Sequence, residues 1–231
     1  MKLFKNINIL TLFLVILLIQ SNVHGQQENS MSQSELEEMQ DVNMNYLFQI
    51  NEIVKDYPAF SYSYTMKDGK LADVTVEGVD HQIKRKQLEV ILFDLKSNRN
   101  MMKSSANRLG VFYSVDKDAS FEGGEEALES TLLSNIEYPD GAKDWGVEGT
   151  IFVRFVVDAN GEIPYASTTS NVDTSIEMYL EDLEKQAINA IKATEGKWDP
   201  AEVDNVEVAS LSVLPITFDI EANPTLPSFI R

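Results

Sequence analysis

Ile151-Phe152-Val153-Arg154-Phe155-Val156-Val157, followed directly by Asp158-Ala159-Asn160-Gly161, decides the fold. Ile151, Val153, Phe155 and Val157 recur at every second position, the period of a strand with one face on a core. Asp158 to Gly161 is turn chemistry, because Asn and Gly tolerate the backbone angles a tight reversal needs. A second strand therefore runs back to about Thr168. Asp173 or Ser175 then caps a helix whose buried face carries Leu180, Leu183, Ala187 and Ile191, and Gly196 marks its end. A last strand falls within 206–220. Residues 222–231 hold Pro224 and Pro227 and read as an extended tail.

Upstream, Gly123-Gly124 precedes a helix with Leu128, Leu132 and Ile136 at helical spacing. Tyr138-Pro139 breaks it, and a short helical turn continues to Gly146. The first half of the chain gives a similar order. Ser34-Glu35-Leu36-Glu37 has the spacing of a capping box. Leu36, Met39, Leu47, Ile50 and Val54 form one apolar stripe, which stops before Tyr57-Pro58 because proline disfavours helix in the residue before it. Phe60, Tyr62, Tyr64 and Met66 alternate with Ser61, Ser63 and Thr65. Asp68-Gly69 turns the chain into a second alternating run with Ala72, Val74 and Val76 inward. Asp80 caps a helix carrying Leu88, Ile91, Leu92 and Leu95, and a third strand spans Leu109 to Val115.

The expected fold is therefore α+β, with two α-β-β-α-β modules. Each is a small three-stranded antiparallel sheet packed by helices. The expected organisation is a signal peptide at 1–25, a disordered lead at 26–33, an N-terminal module at 34–117, a C-terminal domain at 118–221 and a tail at 222–231. The shared element order, with Tyr-Pro before both hairpins, suggests an architectural duplication.

The chain has 231 residues, 43% of them hydrophobic, which is enough for a core. Its formal charge of -18 repels nucleic acid and anionic lipid, which excludes those partners. At the N-terminus, Lys2 and Lys5 precede an apolar run from Ile7 to Ile19, then Val23-His24-Gly25. This pattern reads as a secretory signal cleaved near Gly25/Gln26. A helix of that length rises about 20 Å, short of a hydrocarbon core about 30 Å thick. Cleavage takes Lys2 and Lys5 and no acid, leaving a charge of -20 and no membrane insertion. The competing reading is an uncleaved anchor. There is no cysteine, so neither disulfide nor lipid attachment through Cys is available.

Catalytic signals are sparse. Beyond residue 25 the only histidine is His81, which lies at a helix start and reads as a surface residue. No nucleophile elbow, zinc-protease helix or phosphate loop occurs. Asp158-x-Asn160-Gly161 starts like a calcium loop, but its twelfth position is Thr169 rather than Glu. No catalytic, cofactor-binding or metal residues are expected. Asp116, Asp118 and Glu122 read as a solvated acidic linker, and Lys84-Arg85-Lys86 as a basic helix face.

From Phe121 onward an ordered set of residues resembles the C-terminal domain of the energy transducer TonB. It comprises Phe121-Glu122-Gly123-Gly124, Ala127-Leu128, Tyr138-Pro139, Ala142, Gly146, Glu148-Gly149, Val153 to Val157, Asn160-Gly161, Trp198, Pro200 and Leu214-Pro215-Ile216-Thr217-Phe218. The motif residues read as structural: Pro139 stops a helix, Gly146 and Gly149 allow tight backbone, and Trp198 seals a helix end on the sheet.

The resemblance implies a sheet whose last strand lies at an edge and binds an extended peptide from an outer-membrane transporter. Val208, Ser210, Ser212, Leu214, Ile216 and Phe218 are then the partner-binding positions. Pro215 suits an edge, where a missing donor is tolerated. The resemblance stops short of a full transducer. The apolar run has no His, and none of the seven prolines precedes Pro58, so the stiff Pro-rich spacer is missing. The expected protein is a non-enzymatic, periplasmic or secreted interaction module, possessing no cofactor. The alternatives are an anchored transducer, an enzyme or ligand-binding protein that reuses the fold, and a self-associating structural protein.

Overall fold

The computed structural model describes residues 31–170, 172, 177–221 and 224. The signal peptide, most of the lead, the helix caps Asp173 and Ser175 and nearly all of the tail lie outside the described residues. Among those described, no helix is long and apolar enough to cross a membrane.

Helix α1 (Gln33–Val54) starts at Ser32, two residues before the capping box read from the sequence. Ser32 and Ser34 both have Glu three residues on. The helix uses the first pair: the Ser32 backbone N–H donates to Glu35 Oε2 at 2.8 Å, and the Ser32 hydroxyl accepts from the Glu35 backbone N–H at 3.4 Å. Strands β1 (Ser61–Lys67) and β2 (Lys70–Glu77) form the expected hairpin around Asp68-Gly69, both at positive φ. Two inward assignments change. A register shift between Thr65 and Met66 turns Met66 outward, where it is 51% exposed, and Ala72 is also exposed. Helix α2 (Gln82–Met102) is capped by His81, whose Nδ1 accepts from the Lys84 N–H at 3.3 Å, rather than by Asp80. Leu88, Ile91, Leu92 and Leu95 pack on Val74, Val76, Ile50 and Val54 as a first core.

The expected third strand of this unit, Leu109 to Val115, does not form. The β1–β2 sheet has two strands, and Phe112 pairs with the C-terminal sheet instead. The periodicity of Val111-Phe112-Tyr113 fits a strand, but Asn107 closes a local loop on itself. Its Oδ1 accepts from the N–H groups of Leu109 and Val111, and this diverts the chain from the hairpin.

The C-terminal half contains β3 (Ser120–Phe121), α3 (Gly124–Ser134), α4 (Asp140–Asp144), β4 (Gly149–Val157), β5 (Tyr165–Ser170), α5 (Glu177–Lys192), β6 (Trp198–Asp199), the β7–β8 hairpin (Ala201–Val203, Val206–Val208) and β9 (Ser210–Phe218). The main sheet is antiparallel with order β5-β4-β9. Ile151, Val153, Phe155 and Val157 face a core with Leu128, Leu132, Leu183, Ala187, Ile191, Leu214, Ile216 and Phe218. The acidic linker is engaged rather than free. Asp116 pairs with Lys103 at 2.6 Å and accepts from the Asp204 N–H at 2.9 Å.

The second face of β4 is covered as well. Thr150, Phe152 and Val156 are buried, and α1 lies against the first two of them. Phe48 and Phe152 have ring centroids 4.2 Å apart, and Asn51 Nδ2 donates to Thr150 Oγ1 at 3.0 Å. That is why the sequence of β4 is almost continuously apolar: a strand buried on both faces has no polar side to alternate.

Candidate functional site

Strand β9 lies at the edge of the main sheet. It pairs with β4 from Gly149↔Phe218 to Val157↔Ser210, with no register shift. Two bonds from outside fix which of its backbone groups look away from β4. The Phe112 N–H donates to Ala209 O at 2.9 Å, and the Leu211 N–H donates to Phe112 O at 2.8 Å. Leu211 therefore faces outward, and by alternation so do Val213, Pro215 and Thr217. Beyond Leu211, no backbone bond between described residues reaches this outer side. Pro215 stands opposite Phe152 at an outward position, so its missing N–H costs the sheet no bond.

The structure places the sequence-predicted edge residues as follows. Ser210, Ser212, Leu214, Ile216 and Phe218 stand on the inner face, opposite Val157, Phe155, Val153, Ile151 and Gly149. Their backbone groups point to β4, and Leu214, Ile216 and Phe218 belong to the core. Val208 lies in the short β8 strand, paired with Ala201. The outward set of Leu211, Val213, Pro215 and Thr217 is one residue out of step with that expectation. A period of two cannot say which half of a strand points to its neighbour.

The motif residues sit around this sheet. Tyr138 is buried, packs edge-on against Phe218 with centroids 5.4 Å apart, and donates its hydroxyl to Val147 O at 2.9 Å. Burial, and after it the carboxylates of Glu148 and Asp219, push its phenol up to about 12. Pro139 caps α4, and Ala142 is fully buried. Gly146, Gly149 and Gly161 all have positive φ. At Gly161 a Cβ would stand 2.3 Å from Trp198 O. Trp198 lies between Phe121 and Phe155, each with centroids 5.4 Å away, and its Nε1 donates to Thr194 Oγ1 at 2.9 Å. Pro200 links β6 to β7.

Residues 134–220 match the family described as the Gram-negative bacterial TonB protein C-terminal. This segment belongs to the TonB C-terminal domain family. Among solved structures, the solution structure of the Helicobacter pylori TonB C-terminal domain is similar at 21% identity and a TM-score of 0.32, covering 42% of this chain and 94% of that one. No curated protein matches the chain. Membership in the TonB C-terminal domain family supports a protein-interaction role.

Three parts of the site carry no family signal. Phe112 occupies one end of the β9 edge, α1 covers the outer face of the sheet, and a cavity of about 370 Å³ opens beside Ser210–Pro215. The near-continuous apolar run of β4 was the one sequence signal for the covering helix. Phe112 gave none, because its partner lies about a hundred residues away.

Proposed function

We propose that this protein is an exported, non-enzymatic interaction module of the periplasm. In this reading the outer edge of β9 takes up an extended segment of an outer-membrane protein, in the service of TonB-dependent transport. One observation carries it: past Leu211 the edge presents the Val213 and Thr217 backbone groups and the Pro215 carbonyl without a backbone partner among the described residues. An added strand supplies those partners. The N-terminal module of residues 34–117 is the buttress of this edge. It holds α1 against the sheet and sets Phe112 as a stop, which confines an incoming strand to the Val213–Thr217 stretch.

The test is photo-crosslinking in the living cell from Val213 and Thr217, with the captured peptide sequenced by mass spectrometry. Capture of an outer-membrane transporter through its periplasmic N-terminal segment is the expected result. Capture of nothing but further copies of the chain would replace this reading with self-association.

A further inference from the structure

Trp145, at the end of α4, is 64% exposed, yet its ring is not loose. It stacks on Tyr179 of α5, with centroids 6.4 Å apart and planes 24° from parallel. Tyr179 is itself anchored. It packs against the core, and its ring lies close over Gly141 of α4, where a Cβ would stand 2.6 Å from Tyr179 Cε1. Tyr179 is thus a fixed base, and Trp145 an outer plate with most of its surface in water. Met178, next to Tyr179 in the chain, is 61% exposed. An exposed indole contributes little apolar burial to the fold. It is the kind of side chain on which a partner anchors.

The charge around the plate narrows the partner. Segments 137–148 and 177–185, which carry the two rings, hold eight acidic residues and two basic ones, Lys143 and Lys185. Lys143 Nζ is turned to the Tyr138 ring, 5.1 Å from its centroid. Among the described residues, none of the eight carboxylates has an ion-pair partner. The bias belongs to this half of the chain: residues 119–231 hold 22 acidic and 6 basic residues, against 14 and 11 in residues 31–118. A guanidinium suits both features, because it stacks flat on an indole and donates to carboxylates from its edge. An anionic lipid surface would be repelled.

We propose that the Trp145–Tyr179 platform docks an arginine-bearing basic segment of a second protein. One guanidinium stacks on the exposed face of Trp145, and the carboxylates of α4 and α5 receive the charge around it. The platform includes no residue of β9 and does not rest on strand pairing there.

The probe is acetylated hexa-arginine amide, added to the whole protein with no second protein present. Calorimetry gives saturable binding of one peptide per chain, and the emission of Trp145 shifts as the ring is covered. Trp145→Ala, at an exposed position, keeps the thermal melt of the unaltered protein and weakens binding about tenfold, the weight of a well-placed cation–aromatic contact. Asp144→Asn combined with Glu181→Gln flattens the fall of affinity with salt. Hexa-lysine amide has the same charge and binds more weakly, because an ammonium has no planar face to stack. No saturable binding, or binding unchanged in Trp145→Ala, overturns the proposal, since the peptide would then adhere to acidic surface at large. Equal affinity for the two peptides overturns the guanidinium as the recognised group. A mass that rises with protein concentration, and falls to the monomer in Trp145→Ala, would assign the face to a second copy of the chain instead.

Discussion

Phe112 stands in parallel register with Ser210, joined on both sides through the carbonyl of Ala209 and the N–H of Leu211. The chain thus begins a fourth strand on its own main sheet and leaves it after one residue. Among the described residues the edge is closed at one end and open at the other.

Amide hydrogen exchange reads this boundary residue by residue. The Leu211 N–H, held by Phe112 O at 2.8 Å, exchanges slowly, while the amides of Val213 and Thr217 exchange fast. Phe112→Pro removes the donor to Ala209 and loosens the segment at a cost of about 1 kcal/mol. Leu211 then joins the fast set. Equal protection at Leu211 and Val213 in the unaltered protein would show that the edge is not divided at Phe112.

The main sheet was legible because its signals are local. Strand β4, its Asp-Ala-Asn-Gly turn and the Leu183-Ala187-Ile191 stripe each span a few residues, and the TonB-like motif fixes their order. The N-terminal hairpin was legible for the same reason, through Asp68-Gly69. What stayed hidden was long-range. Nothing near Phe112 marks Ser210 as its neighbour, and nothing in α1 names Thr150 as the partner of Asn51. The two cap positions were missed by one or two residues because adjacent residues offered rival chemistry: Ser32 against Ser34, and His81 against Asp80. The inward and outward halves of β9 were exchanged because alternation defines two faces and says nothing about which backbone groups meet β4.

A buried chain of polar side chains ties α1 to the sheet. Asn51 Nδ2 donates to Thr150 Oγ1 at 3.0 Å, and Thr150 Oγ1 lies 2.9 Å from Thr217 Oγ1. Thr150→Val keeps the shape and strands the Asn51 amide, at a cost of about 1–3 kcal/mol. Adding Asn51→Leu to Thr150→Val removes the orphan and recovers part of the loss. Urea denaturation of the two single variants and the double variant gives the coupling directly. Additive losses would mean that the two side chains do not interact.

Gly161 and Gly146 separate two reasons for a glycine. Both have positive φ, but a Cβ at Gly146 meets open space, whereas one at Gly161 lies 2.3 Å from Trp198 O. Gly146→Ala costs about 1 kcal/mol, the backbone term alone. Gly161→Ala adds the displacement of the Trp198 strand and costs about 3 kcal/mol or more. Thermal melts of the two variants test the difference, and the red-shifted emission of a displaced Trp198 accompanies only the second. Equal melting temperatures would mean that the turn relaxes freely away from β6.

Tyr138 gives a pH dependence with a definite sign. Its phenol is pushed up to about 12 by burial first and by Glu148 and Asp219 second, against about 10 in an unfolded chain. The folded state favours the neutral form, which donates to Val147 O. Unfolding therefore makes proton loss easier. The stabilisation is fully present below about pH 10 and is lost as pH rises through about 12. Tyr64 is also raised by burial and contributes to the same alkaline fall, but it is common to both proteins in a comparison with Tyr138→Phe. That variant loses one hydrogen bond, about 1 kcal/mol at neutral pH, and declines less steeply between about pH 10 and 12. Melting temperature against pH for the two proteins measures this. Parallel curves would mean that Tyr138 titrates like an ordinary phenol and that its packing against Phe218 does not exclude water.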